Sequence, residues 1–114
     1  MDNTIETKSF QFAVRIVNLC RYLQAEQKEF VLTKQLLRSG TSIGANVAES
    51  QQAQSRADFI NKLNISLKEA YETNYWLRLL RETNYLTDEE FQSIIADCRE
   101  LERLLISIVK TSKE

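Results

Sequence analysis

The chain has 114 residues, with 15 basic and 16 acidic side chains, a formal net charge of −1 and a pI near 5.6. Apolar residues make up 43% of it, which is enough for residues 1–114 to form a single domain with its own core. Because histidine is absent, catalytic triads with a histidine base and histidine-containing zinc or di-iron sites are excluded. Two glycines and no proline leave no glycine-rich phosphate loop.

The amino terminus and the two cysteines indicate the cellular compartment in which the protein works. The first eight residues carry charges where a signal peptide needs an apolar segment, and no apolar run approaches the ~20 residues of a membrane span. We therefore expect a cytoplasmic protein. Cys20 and Cys98 each lie within a helical apolar pattern, which predicts reduced core thiols in place of a disulfide, a metal pair or a nucleophile.

Apolar residues recur at helical spacing from Phe10 onward, and this periodicity predicts an all-α fold. The first helix, about 9–26, begins with Ser9 as its N-cap. The second helix covers about 30–54, and its two glycines, one turn apart, indicate close approach of another helix, with a kink as the alternative. The predicted core positions of these two helices are Phe12, Ala13, Ile16, Val17, Leu19, Cys20, Leu23, Leu36, Leu37, Gly40, Ile43, Gly44, Val47 and Ala48.

Capping signals delimit the other two helices. Ser55 and Asp58 resemble a capping box that opens a third helix over about 56–84, and Asn84 suits its C-cap. A second capping box opens the last helix, about 88–111, at Thr87 and Glu90. Their core positions step by 3 and 4 residues, which favours an up-down-up-down antiparallel four-helix bundle with left-handed packing: Ile60, Leu63, Leu67, Ala70, Asn74, Leu77, Phe91, Ile94, Cys98, Leu101, Leu105 and Ile108.

The second helix is poor in charge. Residues 30–55 contain three charged side chains, whereas the remaining 88 residues contain 28. Because a solvated helix face normally carries lysine and glutamate, we interpret its polar face as a surface covered by another protein, with an ordinary polar face as the alternative. This ladder steps by 3, 4, 4 and 3 residues and consists of Gln35, Arg38, Ser42, Asn46 and Glu49.

The third helix carries a second stripe apart from its core positions. A monomer accounts for one stripe only, so the second stripe predicts homo-oligomerisation, with ladder and stripe as the interface. We expect Arg38 to pair with an acidic residue of the stripe in a neighbouring subunit. The second stripe steps by 4, 3, 4 and 3 residues and consists of Ile65, Glu69, Glu72, Trp76 and Leu79.

Two other interpretations of the charged residues remain open. Glu69 and Glu72 project together and could act as an acid–base pair or as metal ligands, but without histidine we predict no catalytic residue, no cofactor and no metal. Nucleic-acid binding should be weak, because no two basic residues are adjacent and residues 85–114 carry seven acids and four bases. Clustering of basic residues in the folded chain would strengthen nucleic-acid binding, and the candidate residues are Lys62, Arg78, Arg81, Arg99 and Arg103.

Residues 35–49, QLLRSGTSIGANVAE, resemble the signature QL-x-RS-x-x-SI-x-x-N-[IV]-AE of bacterial four-helix-bundle proteins encoded in intervening sequences of 23S ribosomal RNA genes. Residues 68–77, KEAYETNYWL, are similar to the family's KE-x-x-ET-x-YWL segment. The pairs Asp58-Phe59 and Tyr85-Leu86 also match, and the resemblance covers the chain from about Phe10 to its end. Ser50 and Asn84 stand where the family often has glycine, which affects only local backbone expectations.

The resemblance implies a bundle that assembles as a ring, typically a homopentamer, with no known enzymatic activity. A related branch, the accessory protein of diversity-generating retroelements, works with a reverse transcriptase and nucleic acid through a basic surface, and this chain lacks that strong basicity. We therefore expect a non-enzymatic oligomeric interaction or scaffold protein whose partner is unknown, with no membrane partner. The alternatives are a nucleic-acid-associated accessory protein, related to ribosomal RNA or a reverse transcriptase, and a metal or small-molecule binder in the pore of a ring.

Overall fold

A computed structural model describes residues 4–114, which form four helices and, within that range, no strand. The helices are α1 (Thr4–Gln27), α2 (Leu32–Ser50), α3 (Arg56–Glu82) and α4 (Asp88–Lys113). They pack in chain order, and α4 returns to α1, in a body of 45 × 22 × 20 Å. The all-α four-helix bundle predicted from the periodicity is confirmed. In the described part of the chain, no helix is both long and apolar enough to cross a membrane.

Neighbouring helices run in opposite directions. The three connections are four or five residues long, which leaves each helix no path other than back along its predecessor. Ion pairs between the first and last helices show the same polarity: Lys8 Nζ lies 2.8 Å from Glu100, and Arg15, later in α1, lies 2.6 Å from Asp97, earlier in α4. The bundle is therefore up-down-up-down.

One stripe of every helix is buried, and in α2 and α3 this stripe differs from the prediction. In α3, three predicted core residues are only half-buried, namely Ile60, Leu67 and Asn74, whereas Ser66, Thr73 and Leu80 are buried. The departure in α2 is similar. Ala48 is exposed and Leu37 is only half-buried, whereas Ser39 and Ser50 lie in the core. The hydroxyls of these serines donate to backbone carbonyls three residues earlier, so they are buried without an unpaired polar atom. The largest fully buried side chains are Phe12, Ile16, Leu23, Leu36, Ile43, Val47, Leu63, Leu77, Leu80, Ile95, Leu101 and Leu105.

The two glycines of α2 allow α1 to approach closely, as predicted. A Cβ on Gly40 would lie 2.8 Å from both Cγ atoms of Ile16, and a Cβ on Gly44 would lie 3.1 Å from the backbone oxygen of Ser9. Both glycines have negative φ, so the glycines supply space and not a special backbone conformation.

The bounds of α1 and α2 depart from the prediction. Ser9 is not an N-cap, because α1 already begins at Thr4 and Ser9 is buried with its Oγ donating to the Glu6 carbonyl at 3.2 Å. The signal that was missed is Ile5, which extends the buried stripe by a turn. Helix α2 ends at Ser50 instead of residue 54, because the amides of residues 51–53 bond three residues back and tighten the chain into a turn.

The predicted N-caps of α3 and α4 are confirmed, with one difference in detail. Thr87 Oγ1 accepts from the Glu90 amide at 3.1 Å, and Glu90 accepts from the Thr87 amide at 2.9 Å. Ser55 Oγ accepts from the Asp58 amide at 3.0 Å, but the shorter Asp58 side chain accepts from residue 54 and not from Ser55. Helix α3 ends at Glu82 with Thr83 as its C-cap, so the predicted C-cap, Asn84, lies one residue further on. Asn84 has the expected left-handed conformation, with φ 69°.

The connection between α1 and α2 contains a helix cap that was not predicted, because its capping side chain is a glutamate and not one of the small polar residues that usually cap helices. Glu29 is buried, and its carboxylate accepts from the backbone amides of Thr33 at 2.8 Å and Val31 at 3.3 Å. The Thr33 hydroxyl donates to the Glu29 carbonyl at 2.9 Å. The start of α2 is therefore stabilised by a buried carboxylate at its positive dipole end.

Candidate self-association surfaces

The polar ladder of α2 lies beside the second stripe of α3 within one chain. The Arg38 guanidinium donates to Glu69 Oε2 at 3.2 Å and also to Glu72, and Lys62 Nζ lies 3.0 Å from Glu49. The prediction that Arg38 pairs with these carboxylates across subunits is therefore wrong. The physical reason is that α2 and α3 are antiparallel neighbours, so residues about thirty positions apart in sequence meet along their shared edge.

Two further ladder residues, Ser42 and Asn46, bond the backbone of their own helix. Ser42 Oγ donates to the Arg38 carbonyl at 2.6 Å, and Asn46 Nδ2 donates to the Ser42 carbonyl at 2.8 Å. Gln35, Ser42 and Asn46 are half-buried, whereas Arg38 and Glu49 are exposed. Arg38, Ser42, Asn46 and Glu49 thus have partners within the chain, and the role of the ladder as an interface stays a prediction.

The second stripe of α3 is less exposed than its composition suggested. All five residues, Ile65, Glu69, Glu72, Trp76 and Leu79, are half-buried. The Trp76 indole donates to Glu72 Oε2 at 3.0 Å, and its ring packs edge-on against Tyr75 with 5.0 Å between centroids. Trp76 is therefore partly covered within the chain, and what remains exposed is one side of the stripe.

The carboxylates of Glu69 and Glu72 contact another side chain of the protein, whereas a catalytic pair would have to contact a substrate. Both share the Arg38 guanidinium, which offsets their charge. Among residues 4–114, no three histidine, cysteine, aspartate or glutamate side chains converge as they would around a metal ion. Nearby, the hydrogen bond and charge of Glu49 raise the pKa of Lys62. The arrangement favours an ion-pair network over acid–base chemistry.

The two thiols are buried in the core, as predicted. Cys20 and Cys98 are free, and each sulfur faces a backbone carbonyl of a neighbouring segment, Thr33 at 3.5 Å and Ala70 at 3.4 Å. Burial raises the pKa of Cys20 to about 11, with the charge of Glu29 adding to the effect. Burial likewise raises the pKa of Cys98. Both residues are held as thiols, which are poor nucleophiles.

An apolar face lies along the edge where α1 meets α2, outside the core. Phe10 is 70% exposed and Val14, one turn later, is 46% exposed. Ser9, the residue before Phe10, makes the close contact with Gly44 of α2. Ala45 and Ala48, which follow Gly44 in α2, are exposed.

Charge is sparse around this face. Residues 39–48 of α2 contain no charged side chain, and between residues 9 and 20 of α1 the one charged side chain is Arg15. Arg15 turns to the opposite side, where it pairs with Asp97. The signal for Phe10 and Val14 was present in the sequence as an i, i+4 apolar pair off the predicted core arc.

These features define a class: a small four-helix-bundle protein whose distinctive surfaces are helix faces and not a pocket lined by reactive side chains. Residues 1–107 match the family model of the 23S rRNA-intervening sequence protein, and the chain belongs to that family. The resemblance noted in the sequence is thereby confirmed.

A solved structure supports the same assignment. The chain is similar to a protein of unknown function from the S23 ribosomal protein family of Bacteroides thetaiotaomicron, whose crystal structure was determined at 1.70 Å resolution. The two share 65% sequence identity with a TM-score of 0.92, over 93% of this chain and 98% of the other. No match is found among curated proteins. The comparisons therefore define the family and the fold, and the function is unknown.

Proposed function

We propose that this protein is a non-enzymatic interaction protein that works as a homo-oligomeric ring. The observation that carries the proposal is the apolar face at the α1–α2 edge, with Phe10 70% exposed and Val14 46% exposed. Glu6 is exposed one turn before Phe10, but the other charged residues of this part of the chain are few. Exposed apolar residues with few charges around them are typical of protein–protein contact surfaces. The occupant we assign to this face is a second copy of the chain.

A ring needs two different faces on each subunit, because identical faces close into a dimer. The first face is the α1–α2 edge. The second is the outer side of the α2–α3 edge, where the ladder and the second stripe lie, and where Arg38 and Glu49 remain exposed. Both faces flank α2, which accounts for its low charge. The resemblance to ring-forming bundles supports five subunits.

Native mass spectrometry at micromolar concentration tests the proposal, with Phe10→Glu as the variant. Burying a central aromatic anchor typically contributes about 2 kcal/mol or more to association, so its loss should weaken subunit contacts about 30-fold or more. We expect the wild-type chain to be an oligomer and Phe10→Glu to be a monomer of unchanged helicity. A monomeric wild-type chain would contradict the proposal.

Tyr22→Glu is the matched control. Tyr22 is 44% exposed on the same helix but lies in the α1–α4 groove, beside Glu89 and Ser93. The control should leave the oligomer intact. Arg38→Ala tests the second face, because Arg38 is exposed there. We expect the variant to weaken the oligomer, and an unchanged oligomer would exclude Arg38 from the subunit interface.

A further inference from the structure

A stripe of two tyrosines and two cations runs along the outer face of α3. Lys68, Tyr71, Tyr75 and Arg78 follow at steps of 3, 4 and 3 residues, so they lie one above another on the helix surface. Each tyrosine is 49% exposed. The stripe spans eleven residues, and from Lys68 to Arg78 the helix rises about 15 Å. It is separate from the apolar face at the α1–α2 edge.

Contacts within the chain hold the ring of Tyr75 in place. The edge of Trp76 packs against it, with 5.0 Å between centroids. The Arg78 guanidinium lies over the ring at 5.9 Å from the centroid, and Arg78 Nε donates to Asn74 Oδ1 at 2.9 Å. An exposed aromatic ring with a guanidinium fixed beside it therefore exists before any ligand arrives.

Helix α4 adds cations beside the stripe. Arg78, Arg81 and Arg99 line one groove of about 230 Å³ between the two helices. Arg81 is already paired with Asp88 at 2.8 Å, but Arg99 makes no ion pair within residues 4–114. One turn after Arg99, Arg103 is also exposed and without an ion pair in the described range.

Acidic groups are fewer than cations on this side, although Glu82 lines the same groove as Arg78, Arg81 and Arg99. Glu89 and Glu90 line the α1–α4 groove, and Asp97 and Glu100 are taken up by ion pairs to α1. On the α3–α4 side, the Glu102 carboxylate accepts from the Asn74 amide at 3.0 Å. Three guanidinium groups that make no ion pair within residues 4–114, those of Arg78, Arg99 and Arg103, therefore lie on the α3–α4 side.

We propose that this face binds single-stranded nucleic acid, an activity beyond the proposed assembly. Bases stack on exposed aromatic rings whatever their sequence, and guanidinium groups take the phosphates that connect them. A duplex keeps its bases stacked on one another and cannot use the tyrosines. The role of each group follows: Tyr71 and Tyr75 stack bases, while Lys68, Arg99 and Arg103 contact the phosphate backbone.

Fluorescence anisotropy with a labelled single-stranded oligouridylate of about 12 nucleotides tests the proposal, at a length within the usual site sizes. We expect Tyr71→Ala and Tyr75→Ala each to weaken binding about 5- to 150-fold, the range for one lost stacked base. Arg99→Ala combined with Arg103→Ala should reduce the slope of log K against log salt by about 1.4, because each phosphate contact of a single strand contributes about 0.7.

The matched controls lie on α1. Tyr22→Ala removes a tyrosine of similar exposure, and Arg21→Ala removes an exposed cation, so neither should change affinity or salt slope. Native mass spectrometry of each variant separates loss of binding from loss of assembly. The proposal is overturned if the wild-type chain does not bind at low salt, if duplex RNA of the same length binds equally well, or if the tyrosine variants bind like the wild-type chain.

Discussion

Replacing Gly40 with alanine should destabilise the bundle, although alanine is the better helix former. The helix propensity of alanine favours the substitution by about 1 kcal/mol. Against this, the added Cβ would lie 2.8 Å from both Cγ atoms of Ile16, a β-branched, fully buried side chain with little freedom to rotate. Overpacking of this kind costs about 1–3 kcal/mol. We therefore expect a net loss of up to about 2 kcal/mol.

A double-mutant cycle with Ile16→Ala isolates this contact, since that change removes the two Cγ atoms. Ile16→Ala alone should cost about 2–5 kcal/mol through the cavity it leaves. In that background Gly40→Ala should stabilise the chain by up to about 1 kcal/mol, because the two contacts at 2.8 Å are gone and the helix propensity remains, while the Cβ of residue 16 stays 3.2 Å away. Urea unfolding followed by circular dichroism measures all four free energies. If Gly40→Ala stabilises the wild-type chain, the close approach of α1 to α2 is not what requires glycine.

Two further predictions concern a cap and a thiol. Thr87→Ala removes the acceptor of the Glu90 amide and should lower the free energy of unfolding by about 1 kcal/mol. Urea denaturation measures this change, and an unchanged free energy would mean that the capping box is dispensable. Burial raises the pKa of Cys20 from 9.0 to about 11. The buried thiol therefore contributes its full stabilisation to the fold below pH 9, and this contribution is lost as the pH rises through 11. The same titration on Cys20→Ala should show a smaller fall in stability over that range, and equal falls would contradict the assignment.

Local features of the fold could be predicted from short stretches of sequence. Three such features each involve groups within four residues of one another. They are the capping box at Thr87 and Glu90, the left-handed Asn84, and the spacing of 3 and 4 residues between apolar positions in α3 and α4. Interactions of that range are set by helix geometry alone, so the residue types determine them without knowledge of the rest of the chain. The family resemblance rests on the same kind of contiguous segments.

The orientation of α2 was predicted less well. An apolar count placed Ala48 and Leu37 in the core, whereas the buried stripe is turned toward Ser39 and Ser50. Short hydroxyl side chains bond their own helix backbone and are buried at little cost, so composition does not distinguish them from exposed polar residues. Which face of a helix is buried depends on both neighbouring helices.

The pairing of Arg38 shows most clearly what tertiary structure decided. The sequence identified its partners, Glu69 and Glu72, as residues of matching charge and spacing, but it assigned them to another subunit. Charge complementarity and helical spacing do not distinguish a pair within one chain from a pair between two chains. Only the side-by-side packing of α2 and α3, which the short turn and the shared core enforce, brings these groups together in one molecule and leaves Phe10 exposed on the other side.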